Sequence, residues 1–160
     1  MEIIKNTKNN GVLYIREIEY GVARDMIVTN HYSKKWNTAF GTINFGVFRD
    51  DTLLGCAVFG NLMNTKSYKN ITDLGPKSVI ELNRLWLSDD LQRNAETLML
   101  SACFKILRKK YPYIKYVQSF ADGRLGCGTI YKAANFGYYG YTFSSFLKTW
   151  ILKKFSIKYL

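Results

Sequence analysis

A single histidine lies in a short cluster of polar and aromatic residues. His31 is the only histidine of the chain, and Tyr32 and Ser33 follow it in the string HYSKK. An imidazole can act as a general base or bind a metal ion near neutral pH. Because the string is polar, we expect His31 and Tyr32 to be catalytic and Ser33 to contact substrate. A structural or surface histidine is the alternative.

One acid stands alone in a basic region. Asp122 is the only acidic residue of residues 97–160, which carry 11 Lys and Arg residues. It ends a predicted strand, and open α/β sheets bind ligands at such strand ends. An acid opposes anion binding there, which favours a role as general base or orienting group. The alternative is an Asp-Gly turn with an ion pair to Arg124.

A polar pair interrupts the predicted strand VIELNRLWL. Strict alternation puts Asn83 and Arg84 on opposite faces, so that at most one of them enters a given cleft. A charged residue within a strand is costly unless it is paired or exposed. Arg84 is therefore expected to hold a carboxylate or phosphate of the substrate, or to pair with Glu81 or Asp122.

The positive charge is concentrated in one part of the sequence. The chain has 160 residues and a net charge of +11, of which +10 comes from residues 97–160. A field of one sign attracts a polyanion, which favours nucleic acid as the partner, with Lys153 and Lys154 among the contacts. Plain solubility is one alternative. An anionic membrane surface fits less well, because the basic residues alternate with strand-like aromatic residues.

Composition favours a single cytoplasmic domain over residues 1–160. No apolar run approaches the roughly 20 residues that span a bilayer, and the segment MEIIKNTKNNG lacks the apolar core of a secretory signal. The three cysteines are widely spaced, which is typical of reduced thiols. We expect Cys56 and Cys103 to lie in the core, and only Cys127, between two glycines, to be placed to react.

The elements that must position these residues alternate between strands and helices. Such an order predicts an α/β fold with a mostly parallel or mixed central sheet and helices on both faces. A long loop over 61–76 is expected to be functional. The predicted strands are VLYI, INFGVF, LLGCAVFG, VIELNRLWL, YVQSFA, YYGYTF and FLKTWI, and the predicted helices are 20–30, 94–110 and TIYKAANF.

Two segments resemble motifs of the GNAT acyltransferases. The string TIYKAANFGYYG is similar to their closing helix and turn, and the resemblance implies that Tyr131 protonates a leaving thiolate. A half-buried packing tyrosine is the alternative. Gln92, Arg93 and Asn94 lie where the family binds pyrophosphate, but both glycines of that motif are missing and Glu96 adds a negative charge. Binding of acetyl-CoA is therefore doubtful, and the group donor is unknown.

Four strings together resemble the Mom family of bacteriophage DNA-modification proteins. These are HYSKK, ELNRLWL, RNAE and SFADGRLGCGTIYKAANFGYYG, within residues 28–140. The resemblance implies a GNAT-like fold, double-stranded DNA as substrate and addition of an acetamido-type group to adenine N6. The modified phage DNA would resist host restriction enzymes in the host cytoplasm. Ser119, Arg124 and Lys132 of the last string are then substrate-binding candidates.

An adenine can be modified at N6 only after it leaves the duplex stack. Tyr32, Trp36 and Phe40 are candidates to hold the extruded base. The resemblance also implies iron, for which His31 and Asp122, with Tyr32, are the candidate ligands; one histidine excludes a two-histidine iron site in a single chain.

Two other functions compete with DNA modification. An acyl-CoA-dependent N-acyltransferase of a small amine or protein is disfavoured by the missing glycines. A non-catalytic DNA-binding protein on the same fold would bind DNA without altering its nucleosides. The DNA sequence context and a homodimer are left open.

Overall fold

The computed structural model describes residues 1–122, 128–144 and 151–160, with the backbone alone at Asp122, 141–144 and 151–159. The strands are β1 (Glu2–Thr7), β2 (Gly11–Glu17), β3 (Ile43–Arg49), β4 (Thr52–Gly60), β5 (Val79–Leu87), β6 (Tyr116–Asp122), β7 (Gly137–Ser144) and β8 (Ile151–Tyr159). The helices are α1 (Tyr20–Asn30), α2 (Ala95–Lys110) and α3 (Thr129–Ala133), and two 3-10 turns (Ser67–Asn70 and Pro76–Ser78) lie before β5.

The strands form one mixed sheet. Its order is β1-β2-β3-β4-β5-β6-β8-β7, and the only parallel pair among the described strands is β5 with β6. That pair is short, because Val79–Glu81 face Tyr116–Gln118 and no later residues are paired. The two strands therefore separate after Glu81 and leave an opening in the middle of the sheet.

The two longer helices cover opposite faces of the sheet. Along β4, Ala57 and Phe59 pack into the large core around α2, whereas Cys56 and Val58 pack into a smaller core with α1. Alternate residues of a strand point to opposite faces, so the two cores lie on opposite sides. Cys56 and Cys103 are fully buried, as predicted.

A bulge in β5 changes which residues share a face. Val58 pairs with Arg84 and Phe59 pairs with Leu82, so Asn83 is an extra residue in β5. Arg84 thereby moves from the face of Leu82 to the α1 side, where Glu81 also lies. The prediction that Asn83 and Arg84 leave opposite faces is therefore wrong, and both residues come close to Glu81.

Several element boundaries differ from the sequence-based predictions. Strand β1 was not predicted, because its exposed and half-buried residues carry no clear apolar alternation. The 61–76 loop contains a 3-10 turn, and α3 ends three residues earlier than predicted. Strand β8 begins at Ile151, the last residue of the predicted strand FLKTWI, and runs to Tyr159. No helix among the described residues is long and apolar enough to cross a membrane.

Candidate active site

The turn after α1 holds the single histidine in a fixed orientation. His31 is only 7% exposed, and its Nδ1 accepts a hydrogen bond from the backbone N–H of Ser33 at 3.1 Å. The Ser33 hydroxyl also lies 2.9 Å from Nδ1. Lys34 closes the turn by donating its N–H to the His31 carbonyl at 2.9 Å. Its positive φ of 46° makes this tight turn possible.

This environment keeps the imidazole neutral. Burial, and secondarily the positive charge of Arg84, lower the pKa of His31 to about 4. Because a backbone N–H points at Nδ1, the ring proton belongs on Nε2. His31 therefore offers a neutral N–H donor at its Nε2 and is a weak base at pH 7.

The aromatic residues of the following loop have unequal exposure. Tyr32 is 66% exposed, and its ring centroid lies 4.3 Å from that of His31. Trp36 is half-buried and donates its indole N–H to the Tyr20 hydroxyl at 2.7 Å. Phe40 is buried in the smaller core. Among the three candidates for holding a flipped base, only Tyr32 presents an open ring, and Phe40 is a core residue.

Arg84 connects the loop to the sheet. Its guanidinium lies over the Phe40 ring, 4.5 Å from the centroid, and its Nη1 donates to the Asn83 carbonyl at 2.7 Å. Burial lowers the pKa of Arg84, while the nearby Tyr32, Glu81 and Tyr131 raise it. A guanidinium stays protonated in proteins, so Arg84 supplies a permanent positive charge at the opening between β5 and β6.

A buried glutamate lies next to this charge. Glu81 is 4% exposed, and its carboxylate accepts hydrogen bonds from the Met63 N–H at 3.2 Å, Asn83 Nδ2 at 3.2 Å and Gln118 Nε2 at 3.0 Å. Burial raises the pKa of Glu81, against the effect of these hydrogen bonds and of Arg84. Sequence reasoning considered Glu81 only as an ion-pair partner. The sequence did contain a signal for Glu81, because it is an acidic residue among the apolar residues that begin β5.

The far side of the opening is formed by β6 and α3. Ser119 is buried and donates its hydroxyl to the Leu82 carbonyl at 3.2 Å, across the diverging strands. Tyr131 packs edge-on against Phe136 and places its hydroxyl 3.5 Å from the Phe120 carbonyl. Burial raises the pKa of Tyr131, against a hydrogen bond with Ser119, so its phenol keeps its proton at neutral pH.

These contacts unite residues from four separate segments around one opening. The cluster contains the neutral imidazole N–H of His31, the guanidinium of Arg84, the protonated phenol of Tyr131 and the buried carboxyl group of Glu81. These groups are close enough to influence one another electrostatically. Donors of this kind stabilise negative charge that develops on a carbonyl oxygen or a leaving group during acyl transfer.

Comparison with known protein families and sequences shows which family the chain belongs to. The model of the Mom protein family matches residues 12–156. The chain belongs to the Mom protein family. It is 36% identical over 137 residues to the methylcarbamoylase mom of Escherichia phage Mu, and the match covers 84% of this chain and 56% of that protein. The chain thus spans about half the length of this relative.

Solved structures confirm the predicted GNAT-like α/β fold of this Mom family member. The ribosomal-protein-S5-alanine acetyltransferase of Vibrio fischeri matches with a TM-score of 0.66 and 11% identity, over 98% of this chain and 96% of that one. The aminoglycoside acetyltransferase AAC(6')-Ib, in complex with coenzyme A and kanamycin, matches with a TM-score of 0.64 and 12% identity, over 92% and 94%.

The remaining candidates of this Mom-family chain lie outside the cluster or outside the described residues. Gln92, Arg93 and Asn94 are exposed at the start of α2, and Lys132 is exposed on α3. The backbone of Asp122 ends β6 opposite Lys153, and Ala121 lies opposite Lys154. Arg124 and Cys127 lie outside the described residues.

The start of α2 has an unusual backbone. Asn94 directly precedes the helix; its φ of 69° is left-handed, and its side chain makes no capping hydrogen bond. Asn10 instead accepts the Gln92 N–H at 2.7 Å, which ties this turn to the β1–β2 hairpin. Glu96 lies in the first helical turn, where a carboxylate interacts favourably with the helix dipole.

Among the described side chains, which do not include that of Asp122, no group of three His, Cys, Asp or Glu residues could hold a metal ion. The iron ligands His31, Asp122 and Tyr32 therefore stay a prediction. Binding through Nε2 would move the ring proton to Nδ1, where the Ser33 N–H points. The hydrogen bonds of the turn thus oppose metal binding by either nitrogen of His31.

Proposed function

We propose that this chain is a phage-type DNA-modifying transferase that adds a methylcarbamoyl-type group to adenine N6 in double-stranded DNA. Family membership supports DNA modification, and the name of the phage Mu relative, a methylcarbamoylase, supports the choice of the transferred group. The acetamido-type group expected from the sequence is isomeric with it. Modification would protect the DNA from host restriction enzymes.

The observation that carries this proposal is the donor cluster at the opening between β5 and β6. In the transfer, the adenine amine forms a bond to the carbonyl carbon of the donor molecule, and the bond from that carbon to its leaving group breaks. The amine loses a proton and the leaving group gains one. Negative charge develops on the carbonyl oxygen, and preorganised donors stabilise that charge.

The side chains suit these roles. His31 Nε2–H and the Arg84 guanidinium are donors for the carbonyl oxygen, and the phenol of Tyr131 is the acid that protonates the leaving group. We assign removal of the amine proton to Asp122, at the end of β6. Glu81 holds Asn83 and Gln118 in place through its hydrogen bonds and offsets the charge of Arg84.

The DNA contacts follow from exposure and charge. Tyr32 is the exposed aromatic residue beside His31 and can stack on an extruded adenine. The basic residues of 97–160 supply phosphate contacts. We include Lys132, Lys153, Lys154 and Arg124 among these contacts, with Ser33, Trp36, Asn83 and Ser119 supporting the substrate.

Mass spectrometry of nucleosides from DNA of cells that express the protein tests the proposal. We expect a modified deoxyadenosine whose fragmentation matches a synthetic N6-methylcarbamoyl standard, since isomeric groups share one mass. Tyr131→Phe should lower its amount about 100-fold or more, because it removes the general acid but keeps the ring. Tyr113→Phe, at an exposed tyrosine, is the matched control. Unmodified nucleosides with retained DNA binding would favour the non-catalytic alternative.

A coenzyme A-dependent N-acyltransferase is the second candidate. The solved structure with coenzyme A bound to a similar fold favours it. Acetylation of small amines or proteins by the purified chain, without any change to DNA, would replace the leading proposal.

A further inference from the structure

Phe40 lies inside the protein beside the site, where it cannot hold an extruded base. Only 5% of its surface is exposed, and it packs with Cys56 and Val58 of β4 in the smaller core. Its ring faces a charge, since the guanidinium carbon of Arg84 lies over the ring at 4.5 Å from the centroid. The negative face of an aromatic ring attracts a cation, and the attraction is strongest where water is excluded.

Few other groups hold the guanidinium of Arg84. Its Nη1 donates to the backbone carbonyl of Asn83 at 2.7 Å, and its Nε is buried without a hydrogen-bond partner among the described residues. It also forms no ion pair with a described carboxylate. Within the described part of the chain, the placement of this charge therefore depends on one hydrogen bond and one ring face.

Two further aromatic residues hold the ring of Phe40 in place. Trp36 packs edge-on against Phe40, with 5.8 Å between the ring centroids. The Trp36 indole N–H donates to the Tyr20 hydroxyl at 2.7 Å, and the Tyr20 ring lies edge-on to that of Trp36. Gly41 permits this packing, because its φ of 78° is left-handed and a Cβ there would lie 2.8 Å from both of these rings.

The backbone around Phe40 is tied to the sheet. The Phe40 N–H donates to the Asn37 carbonyl at 3.0 Å, and the Ala39 carbonyl accepts the Asn61 N–H at 2.9 Å. Gly60, the last residue of β4, allows this approach, since a Cβ there would collide with the Ala39 carbonyl oxygen. The loop therefore presents the ring to Arg84 from a fixed backbone.

The position of Arg84 affects two properties of the site. Its charge adds to the effect of burial in lowering the pKa of His31 to about 4. In the proposed transfer, the same guanidinium donates to the carbonyl oxygen on which negative charge develops. Such donors stabilise the charge only from the correct distance, so a displaced guanidinium would slow the transfer.

We infer that Phe40 is a positioning residue whose ring face holds the guanidinium of Arg84 at the opening between β5 and β6. Phe40 contacts neither the DNA nor the transferred group and acts through Arg84. Trp36 and Tyr20 keep its ring in place. The effect on catalysis rests on the proposed function, whereas the placement of the charge does not.

Fluorinated phenylalanines at position 40 test the inference, because fluorine withdraws charge from the ring face and changes the ring shape little. Mono-, di- and trifluorinated phenylalanine are introduced into the full chain by suppression of an amber codon. We expect the rate at which modified deoxyadenosine accumulates after induction to fall in this order, by about tenfold for the trifluorinated ring. The affinity for DNA, measured by fluorescence anisotropy, should stay the same.

The same series at Phe45 is the matched control. Phe45 is fully buried in the large core, and no described cation lies over its ring. We expect fluorination at this position to leave the rate unchanged. Equal losses at Phe40 and Phe45 would show that fluorine acts through packing, and this result would overturn the inference.

NMR supplies a measurement that does not depend on activity. The ring current of Phe40 shifts the Nε–H resonance of Arg84 upfield, and we expect this shift to decrease as fluorine is added and to vanish in Phe40→Leu. The methyl resonances of Val58, in the same core, report changes in the ring current itself. An Arg84 resonance that moves only in proportion to those of Val58 would overturn the inference.

The two measurements separate this inference from the proposed function. A displaced Arg84 with an unchanged rate of modification would show that Phe40 has no positioning role in the reaction. If the parent chain modifies no DNA, the proposed function fails, and the NMR series alone then supports or overturns the placement of Arg84 by Phe40.

Discussion

Protonation states determine what the individual residues of the site can do. The phenol of Tyr131 keeps its proton because burial raises its pKa. The imidazole of His31 is neutral because burial lowers its pKa to about 4. At neutral pH both side chains are therefore uncharged hydrogen-bond donors. Arg84 supplies the positive charge between them.

The lowered pKa of His31 predicts a pH-dependent loss of stability. The unfolded chain binds a proton at His31 below pH 6.5, whereas the folded chain binds it only near pH 4. Stability is therefore full above pH 6.5 and falls as the pH is lowered from 6.5 towards 4, by up to about 3 kcal/mol. Urea unfolding at a series of pH values measures this effect.

His31→Asn is the control for this stability effect. Asparagine can accept the Ser33 N–H bond but does not titrate. We expect the difference in unfolding free energy between the parent and His31→Asn to shrink by about 3 kcal/mol over this pH range. Other titrating groups, such as Glu81, contribute equally to both proteins and cancel. A difference that stays constant with pH would show that the ring is not held in its neutral form.

Asp122→Asn separates chemistry from DNA binding at a single residue. The substitution removes a negative charge from a basic region, so phosphate attraction cannot weaken. We expect DNA modification to be lost and DNA affinity to stay equal or to rise. Nucleoside mass spectrometry and fluorescence anisotropy with labelled duplex measure the two properties. A folded variant with full activity, verified by circular dichroism, would return Asp122 to its turn-forming alternative.

At the scale of elements, the bulge in β5 assembles the site. Without Asn83 as an extra residue, Arg84 would share the face of Leu82 and lie away from Glu81. The sequence predicted β5 with its correct ends, because apolar residues begin and end the segment VIELNRLWL. Strict alternation could not predict the bulge, since a bulge depends on how β4 and β5 pair and not on local composition.

Local patterns predicted some elements well and others poorly for physical reasons. Helix α1 and the β3–β4 hairpin were predicted correctly, because apolar spacing and the Asp50–Asp51 turn are local signals. Helix α2 buries Leu100 and Phe104 as well as Met99 and Cys103, which is more than one apolar face, since the sheet and α3 both pack on it. His31 and Arg84 were recognised individually, but their proximity results from long-range packing.

The turn at the start of α2 predicts weak binding of acetyl-CoA, or none. Ala95 is buried directly after a left-handed Asn94, so its side chain hinders the close backbone approach that glycine would permit. Glu96 opposes a pyrophosphate electrostatically. Isothermal titration calorimetry measures the affinity, and Glu96→Gln should strengthen any binding. Micromolar or tighter binding by the parent chain would show that a GNAT-type cofactor site is present despite the missing glycines.

At the scale of the whole molecule, charge is segregated along the chain. Residues 97–160 carry nearly all of the excess positive charge, and they include most of α2 together with β6, α3, β7 and β8. Of the proposed catalytic residues, His31 and Arg84 lie before this region, whereas Asp122 and Tyr131 lie within it. We therefore expect the basic region to hold the DNA backbone beside the site and also to supply the proposed acid and base.

This segregation predicts that DNA affinity falls steeply with salt. Each phosphate neutralised by Lys or Arg releases condensed counterions, so the logarithm of the binding constant falls linearly with the logarithm of salt concentration. We expect a slope that corresponds to several phosphate contacts and little dependence on DNA sequence.

Replacing Lys153, Lys154 and Lys158 together by glutamate should weaken binding and flatten the slope. Replacing Lys8, Lys66 and Lys69 by glutamate, at positions outside residues 97–160, is the matched control and should have a smaller effect. Fluorescence anisotropy between about 50 and 200 mM salt measures both quantities, and an affinity that does not change over this range would exclude the basic region as the DNA-binding surface.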